Sequence, residues 1–412
     1  MNLPYQLFIA VRYLRSKKKH KGISFNTVIS ISGVAVGVMA LLTVLSVMSG
    51  FHEDLQKKIL GANAHAVVLS YSGTIRDYPA MIEKVKTEPL VEDASPFVLG
   101  QVLVSSGKNA HGIFMKGIDI ASEARTTEIL QRIKFGKAPQ PGVITGTDGV
   151  PWIMIGSELA AMLGIFTGDT INVISPMGEI GPLGMLPKMK QFRVVAVFDM
   201  GMFEYDANLA LTDLKSAQEF FKYGDAVSGI GLKLKDVYAA PEVRKDLNRK
   251  LGPPFFVKDW MMMNRNLFSA LKLEKFAMFV VVLLIVLVAS FNIVSTLMMN
   301  VMEKQKEIAI LKSMGARNRG IMFIFMSQGL VIGLIGTAIG LIGAVILCYV
   351  LNTFELVKLP PEVYYLKTLP VKVNVFDFVL VSFSAIAISF LSTLYPAYYA
   401  ARMNPVEPLR YE

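Results

Sequence analysis

The sequence predicts an α-helical membrane protein with four transmembrane helices and a large extracytoplasmic α+β domain between the first two. Hydrophobic residues make up 53% of the chain, more than an ordinary soluble protein contains. Four long stretches, residues 22–51, 276–302, 320–354 and 378–401, contain no Asp, Glu, Lys or Arg. Each is longer than the roughly 20 residues that an apolar helix needs to cross a bilayer core.

Residues 1–21 precede the first of these stretches and contain one apolar helical face. Leu7, Phe8, Val11 and Leu14 share that face, and a basic cluster follows them. A secretory signal has the opposite order, because its basic residues come first. The pattern predicts an interfacial helix on the cytoplasmic leaflet, and a plain basic tail is the alternative.

The first predicted span has a stripe of residues at helical spacing. Gly33, Gly37, Val44, Met48 and Phe51 lie four, seven, four and three residues apart. Glycines at one end permit close helix contact, and large apolar side chains at the other end form an adaptable surface. Helix packing and contact with an apolar ligand are both consistent with this stripe.

The hydrophilic segment 52–275 alternates short apolar runs with Gly and Pro signals, which is typical of strands and turns. Strands are predicted in HAVVLS, PFVLGQVLVSS, HGIFMKGI, DTINVIS, FRVVAVFDM and GIGLKLK. Helices are predicted at residues 78–87, 157–163, 214–221 and 240–251. The mixture predicts an α+β domain with a subdomain inserted at about residues 120–225.

Within this domain, prolines and glycines recur through SPMGEIGPLGMLPKMK, residues 175–190. We expect a loop that does not join a sheet, because proline cannot donate to the ladder of hydrogen bonds. The loop would present Leu183, Met185 and Leu186 to its surroundings. Contact with a partner and a disordered hairpin connection are both open interpretations.

Charge returns directly after the second predicted span, in EKQKEIAILKSMGARNRG. Ile308, Leu311 and Met314 repeat every three residues, which predicts a short amphipathic helix that Gly315 closes. Such a helix can pass movement of a soluble partner into the membrane. The alternative is a basic stop-transfer loop that only sets topology.

Glycines four and three residues apart form one face of the third predicted span, which indicates close packing against other helices. They are Gly329, Gly333, Gly336, Gly340 and Gly343. The fourth span contains Pro396, and the loop before it is rich in proline.

Nearly all of the formal net charge of +10 falls in residues 1–21, 303–319 and 402–412. The positive-inside rule therefore places these segments and both termini in the cytoplasm. The predicted order is an interfacial helix (1–21), span 1 (22–51), the outer α+β domain (52–275), span 2 (276–302), a coupling helix (303–319), span 3 (320–354), an outer loop (355–377), span 4 (378–401) and a cytoplasmic tail (402–412). The charge needs no nucleic-acid partner to explain it.

No catalytic or metal-binding motif occurs in the sequence. It contains no GxxxxGK[ST] loop, no GxSxG elbow and no HExxH pair, and Cys348 is its only cysteine. We therefore predict a chain that is not an enzyme and has neither catalytic residues nor a bound cofactor or metal. If it moves a substrate, the energy comes from another subunit.

Several segments together resemble the LolC/LolE permeases of the lipoprotein-releasing ABC transporter, within the broader group of MacB and FtsX membrane proteins. The strongest are LFIAVRYLR, ISGVAVGVMALLTVLSVMSGFHEDLQKKILG and MEKQKEIAILKSMGA. IGSELAAMLGIFTGDTINVISP, LSTLYPAYYAAR and NPVEPLRYE add to the likeness, which covers the whole chain. The fused ATPase of MacB-type proteins is missing, which supports the lipoprotein-releasing branch.

The resemblance implies a multi-pass inner-membrane protein of a Gram-negative cell, with a periplasmic α+β domain. It would work with two copies of a cytoplasmic ATPase that binds ATP and Mg, and with a second permease, either LolE-type or a second copy. The expected substrates are lipoproteins, and a periplasmic chaperone receives them.

The resemblance also assigns residues to these roles. Those expected to couple to the ATPase are Glu303, Lys304, Lys306, Glu307, Ile308, Leu311, Lys312 and Gly315. Val44, Met48 and Phe51 would line a cavity for the lipid anchor. The chaperone hook would be Pro182, Leu183, Gly184, Met185, Leu186, Pro187 and Lys188, although the spacing and chemistry here differ from the family pattern.

Two other functions are consistent with the same sequence. One is an FtsX-like transmitter that controls a cell-wall hydrolase and transports nothing. The other is a component of a MacB-like exporter for peptides or small amphiphiles.

Overall fold

The computed structural model describes residues 9, 21–107, 109–146, 149–181, 184–354 and 370–404. The chain divides into two compact units. One comprises Met1–His52, Ala270–Val357 and Leu369–Glu412, and the other comprises Glu53–Ser269 and Lys358–Thr368. Most of the predicted interfacial helix (1–21), outer loop (355–377) and tail (402–412) lies outside the described residues.

The α-helices in the described part of the chain are α1 (Lys21–Ala62), α2 (Tyr78–Lys86), α3 (Ile120–Thr126), α4 (Ser157–Leu163), α5 (Phe203–Asn208), α6 (Leu214–Phe221), α7 (Ala240–Leu251), α8 (Trp260–Met263), α9 (Arg265–Glu303), α10 (Gln305–Ser313), α11 (Asn318–Phe354), α12 (Val375–Ser392) and α13 (Leu394–Arg402). Four segments are long and apolar enough to cross a membrane: Thr27–Ala62, Arg265–Glu303, Asn318–Phe354 and Val375–Arg402.

Two of these helices continue past the apolar stretches that predicted them. α1 runs on through charged residues to Ala62, and α9 already begins at Arg265. In α1, ion pairs one turn apart stabilise the polar extension: Glu53 with Lys57 at 2.9 Å and Asp54 with Lys58 at 3.0 Å. Hydropathy therefore predicts where these helices are apolar, but it does not predict where they end.

The fourth apolar segment is two helices rather than one. α12 ends at Ser392 and α13 begins at Leu394, with Thr393 between them. The break has a physical cause in Pro396, which cannot donate a backbone hydrogen bond and clashes with the preceding turn of a continuous helix. α12 also begins before the predicted span, because the Asn374 side chain caps it by accepting from the Phe376 N–H at 3.2 Å.

The glycine ridge of α11 meets the fourth segment at one end. A Cβ atom at Gly329 would lie 1.8 Å from Cγ2 of Thr393, and one at Gly333 would lie 2.6 Å from Cβ of Ser389. These distances are far below van der Waals contact, so only glycine fits at either position.

The other end of the same ridge meets α1. A Cβ atom at Gly336 would lie 2.8 Å from Cβ of Val34, and one at Gly340 would lie 2.7 Å from the Ala35 carbonyl oxygen. Gly343 lies against the methionine at position 39. α11 therefore packs closely against α1 and the fourth segment through one continuous stripe.

The second unit is built on one mixed sheet. Its strands are β1 (Ala66–Ser70), β2 (Val91–Ser106), β3 (Asn109–Ile118), β4 (Ile133–Gly136), β5 (Trp152–Gly156), β6 (Thr170–Gly181), β7 (Gly184–Phe198), β8 (Leu209–Asp213), β9 (Gly229–Leu234) and β10 (Phe255–Asp259). They form a ten-stranded sheet in the order β10-β1-β9-β2-β3-β8-β5-β7-β4, and β6 pairs with β2 and β7. The β3–β8 and β5–β7 pairs are parallel, and the other pairs are antiparallel.

The predicted α+β character of this domain is confirmed. All six predicted strand runs form strands, and the four predicted helices form as α2, α4, α6 and α7. Separate apolar cores lie under the β1–β2–β9–β10 end and around β5–β7, centred on residues such as Val68 and Val194. The subdomain boundary at about residues 120–225 remains a prediction.

The prediction that residues 175–190 form a loop outside any sheet is wrong. β6 and β7 pair from Thr170↔Arg193 to Gly181↔Gly184 and form a long hairpin. The pairing is interrupted only between Ser175↔Lys188 and Glu179↔Leu186, and Pro176 and Pro187 both fall in that interruption. Prolines at an irregularity remove no regular ladder bond, so the hairpin tolerates them.

A carboxyl group is buried beside the end of β7. Asp206 is 2% exposed, and its Oδ1 accepts from the Met200 N–H at 2.8 Å. The neighbouring Asp199 carboxylate accepts from the Gly201 N–H at 3.0 Å and pairs with Lys134 at 3.2 Å. Burial, reinforced by the negative charge of Asp199, raises the pKa of Asp206 to about 6.

Asp206 should make this domain less stable as the pH rises. Its folded-state pKa of about 6 lies above the value near 3.9 of an unfolded aspartate. Its stabilising contribution is therefore complete below about pH 4 and is lost as the pH rises through about 6. Asp206→Asn keeps a hydrogen-bond acceptor but removes the titrating carboxyl group. Between about pH 4 and pH 6, the free energy of unfolding of this variant should therefore fall by on the order of 1–3 kcal/mol less than that of the wild type.

The free energy of unfolding at each pH is measured by urea unfolding of the purified chain. Tryptophan fluorescence reports on this domain, because both tryptophans, Trp152 and Trp260, lie in it. Exposed Asp225→Asn is the matched control and should leave the pH profile unchanged. Identical profiles for wild type and Asp206→Asn would contradict the assignment.

The contact between Gly329 and Thr393 can be tested with a compensating pair. Gly329→Ala should destabilise the helical unit by about 1–3 kcal/mol, because the new methyl overlaps Cγ2 of Thr393. Thr393→Ser removes that methyl and keeps the hydroxyl, which donates to the Phe390 carbonyl at 2.6 Å. Thermal stability is measured by heating the chain in detergent and quantifying the folded fraction by size-exclusion chromatography. The double variant should recover most of the thermal stability that Gly329→Ala loses. A double variant no more stable than Gly329→Ala would show that the two residues do not meet.

Candidate functional site

The helical unit contains a cavity of about 530 Å³ with mainly apolar walls. Three helices form it, and their apolar lining residues are Val34, Val38, Leu41 and Leu45 of α1, Met278, Phe279, Val282, Ile285, Ala289 and Ile293 of α9, and Leu380, Val381, Ala385 and Ile388 of α12. Lys275 of α9 and Asp377, in the first turn of α12, are the charged residues of the lining. Such a cavity suits an aliphatic chain.

The predicted stripe on α1 only partly coincides with this cavity. Gly37 lines it, and a Cβ atom there would lie 3.4 Å from Ile285 of α9. Val44 is 40% exposed, and Met48 and Phe51 are partly buried one to two turns further along α1. The residues of α1 that line the cavity instead lie on the neighbouring face, which contains Leu41 and Leu45.

Polar contacts join α1 and α9 beside the cavity. The Ser30 hydroxyl lies 2.6 Å from the Thr296 hydroxyl and 3.3 Å from Oδ1 of Asn292. Gly33 lies against the same asparagine, since a Cβ atom there would be 3.0 Å from its Nδ2. Hydrogen bonds between apolar helices fix their register and rotation.

α10 forms the predicted amphipathic helix between α9 and α11. Its inner side is Ile308 and Ala309, each 1% exposed. Ile308 joins a cluster that contains Val301, Ile321, Ile324, Phe325, Ala397 and Ala400, so α10 packs on α9, α11 and α13. Ile308 is therefore part of the internal core of this region.

The outer side of α10 is charged. Lys306 and Glu307 are exposed, as is Glu303 at the end of α9, and Lys304 donates to Glu307 at 2.6 Å. Leu311 is half-buried. Met314 is 79% exposed and leaves the predicted apolar face, because the helix ends at Ser313 and the chain turns at Gly315. Gly315 has a φ of +97°, a conformation that favours glycine.

Lys312 lies on the inner side of α10, away from these charges. Its Nζ donates to the carbonyl oxygens of Ala401 and Met403, at 2.8 Å each. Burial lowers the pKa of Lys312. Sequence patterns carry no signal for this contact, because the residues lie about 90 positions apart and the acceptors are backbone atoms.

The predicted hook lies at the connection of β6 and β7. Pro182 and Leu183 are outside the described residues, and Gly184, Met185 and Leu186 begin β7. Pro187 is exposed. Lys188 is held inward, because its Nζ donates to the carbonyl of Phe220 at 3.2 Å and lies 5.6 Å from the centre of that ring.

Comparison with protein families identifies the class. Residues 27–250 match the MacB-like periplasmic core domain, and residues 279–405 match the FtsX-like permease C-terminal domain. Together with the four long apolar helices, these matches define a membrane permease subunit of the MacB/FtsX-like superfamily.

Similarity to individual proteins shows to which branch of this superfamily the chain belongs. The chain is 37% identical to the lipoprotein-releasing system transmembrane protein LolC of Xylella fastidiosa (strain Temecula1) and 35% identical to LolC of Neisseria meningitidis serogroup B, each over 99% of both chains. It is 30% identical to LolE of Haemophilus influenzae, again over 99% of both chains. The chain belongs to the LolC/LolE family of lipoprotein-releasing system transmembrane proteins.

Proposed function

We propose that this chain is a permease subunit of an ABC transporter that extracts lipoproteins from the outer leaflet of the inner membrane and passes them to a periplasmic chaperone. One observation carries the proposal: the similarity to lipoprotein-releasing proteins extends over 99% of the chain at up to 37% identity. It therefore includes the cavity-forming helices, the α+β domain and the charged segment that contains α10.

The cavity supports this function physically. Each buried CH₂ group of a lipid anchor contributes about 0.8 kcal/mol to membrane attachment, so release needs both an energy source and an apolar shelter. The walls of α1, α9 and α12 supply aliphatic and aromatic contacts. In our proposal, acyl chains enter this space, and its closure expels them.

The charge distribution supports the proposed orientation. With residues 303–319 and both termini in the cytoplasm, the excess basic residues lie on the cytoplasmic side. The α+β domain is then periplasmic, in agreement with the description of the family that it matches. On this basis we place the chain in the inner membrane of a Gram-negative cell.

The proposed energy source is a pair of cytoplasmic ATPase subunits that bind ATP and Mg. The surface that we assign to them is the exposed face of α10, with Lys306 and Glu307, together with Glu303 at the end of α9. A second permease, LolE-type or another copy of this chain, completes the membrane core. The end of the β6–β7 hairpin, where Pro187 of β7 is exposed, is the proposed contact with the chaperone.

Photocrosslinking tests the cavity. A photoreactive residue at Leu45 or Val282 should label lipoprotein in the working complex, because both side chains line the cavity. The same photoreactive residue at Met48 tests the position that the sequence assigns to the lipid-anchor cavity. Tyr349, which is 69% exposed on α11, is the control and should label only bulk lipid. Absence of lipoprotein labelling from all three test positions during active turnover would remove the cavity from the mechanism.

Charge reversal tests the ATPase surface. The double variant Lys306→Glu and Glu307→Lys should reduce co-purification of the ATPase about tenfold, because it inverts the charge pattern that a partner surface would have to complement. The matched control is Lys272→Glu, an exposed charge near the other end of α9. Unchanged assembly and ATP turnover in the double variant would count against this surface.

A further inference from the structure

The coupling helix α10 is covalently joined to α9 and α11, but the cavity also has a wall formed by α12. The lining residues belong to α1, α9 and α12. Movement of α10 therefore reaches one wall directly through α9, whereas the α12 wall must receive it through non-covalent contacts. α11, which follows α10, contacts the fourth segment at Thr393 and Ser389, and α10 itself contacts α13 directly. The direct contact has two parts.

The first contact is the Lys312 side chain. Its Nζ donates to the carbonyl oxygens of Ala401, in the last turn of α13, and of Met403, just beyond it, at 2.8 Å each. The last carbonyls of a helix have no intrahelical partner and carry the negative end of its dipole. A lysine ammonium donates hydrogen bonds to these carbonyls and places a positive charge at the negative end of the dipole. This contact is therefore a charged C-terminal cap that another helix supplies.

An apolar contact supports the same pair of helices. Ile308 of α10 belongs to one buried cluster with Ala397 and Ala400 of α13, and both alanines are 0% exposed. The small alanine side chains allow close approach of the two helices. Lys312 and Ile308, four residues apart, thus hold α13 at its end and along its side.

The opposite end of α13 leads to the cavity. It joins α12 at the break around Thr393, which is 0% exposed and lies against Gly329 of α11. Beyond the break, α12 supplies Leu380, Val381, Ala385 and Ile388 to the cavity wall. A displacement of α13 can therefore change the direction of α12 at a point where the helix is already interrupted.

We propose that Lys312 is a positioning residue that fastens the ATPase-facing helix α10 to α13, so that movement of α10 is passed to the α12 wall of the cavity. Its role is thus internal to the chain rather than a contact with the ATPase. This inference rests on the proposed function for its consequence in transport, but the connection between α10 and α13 can be measured without transport.

Hydrogen–deuterium exchange of the purified chain in detergent tests the connection itself. Lys312→Met should increase amide exchange in residues 394–402 about tenfold, because two hydrogen bonds from a charged donor are lost. Lys312→Arg keeps a permanently charged donor and should restore slow exchange. The exposed Arg319→Met removes a nearby charge and should have no effect. Unchanged exchange in Lys312→Met would overturn the proposal.

Transport coupling is then measured in proteoliposomes that contain this permease, its partner permease and the ATPase, with a lipoprotein and its soluble carrier. Lys312→Met should assemble and hydrolyse ATP at nearly the wild-type rate, while lipoprotein released per ATP falls about tenfold. Lys312→Arg should restore the ratio. Lys312→Gln, with a neutral donor, is the second variant and should give an intermediate ratio if Lys312→Met fails to fold.

The outcomes separate the two proposals. A wild-type complex that hydrolyses ATP but releases no lipoprotein contradicts the proposed function, and the exchange data still decide whether Lys312 fastens α13. A wild-type complex that releases lipoprotein, with an unchanged ratio of release to ATP in Lys312→Met, overturns the role of Lys312 alone.

Discussion

The close packing of α11 is the constraint on which the helical unit depends. At Gly329 and Gly333 the helix has no room for a side chain against the fourth segment, and at Gly336 and Gly340 it has none against α1. In a membrane there is little hydrophobic driving force between helices, so close backbone contact and hydrogen bonds must hold them together. α11 thus holds α1 and the fourth segment in place, and the cavity lies between these two and α9.

This arrangement separates two tasks. The cavity walls are mainly apolar, with Lys275 and Asp377 as the charged residues of the lining, and apolar walls allow acyl chains of different length and saturation to bind without specific polar contacts. A separate group of charged and hydrogen-bonded residues lies around α10, where Lys304 pairs with Glu307 and Lys312 caps α13. Work done by a soluble partner would then reach the cavity through helix movement, and the charged groups around α10 need not enter the apolar space.

The sequence predicted what depends on local pattern. Apolar stretches predicted the four long apolar segments, alternating runs predicted strands, and the spacing around Ile308 predicted α10. Sequence reasoning failed where contacts between residues far apart in the chain determine the structure. Pro176 and Pro187 suggested a loop between two predicted strands, but they share one irregularity in a hairpin, and local pattern does not show that these two strands pair with each other through residues 175–190. The cavity face of α1 depends on how α9 and α12 pack, so the Val44–Met48–Phe51 stripe did not identify Leu41 and Leu45. The Lys312 contact had no sequence signal because its acceptors are backbone carbonyls.

The central claim is that this chain shelters the lipid anchor of a lipoprotein until nucleotide turnover releases it. Native mass spectrometry of the complex, purified in mild detergent with its ATPase, tests this most directly. We expect a species with bound acylated protein that disappears when ATP, Mg²⁺ and the soluble carrier are added together, and that persists when ATP is omitted. A complex that retains only phospholipid, or whose bound lipoprotein does not respond to ATP, would contradict the account.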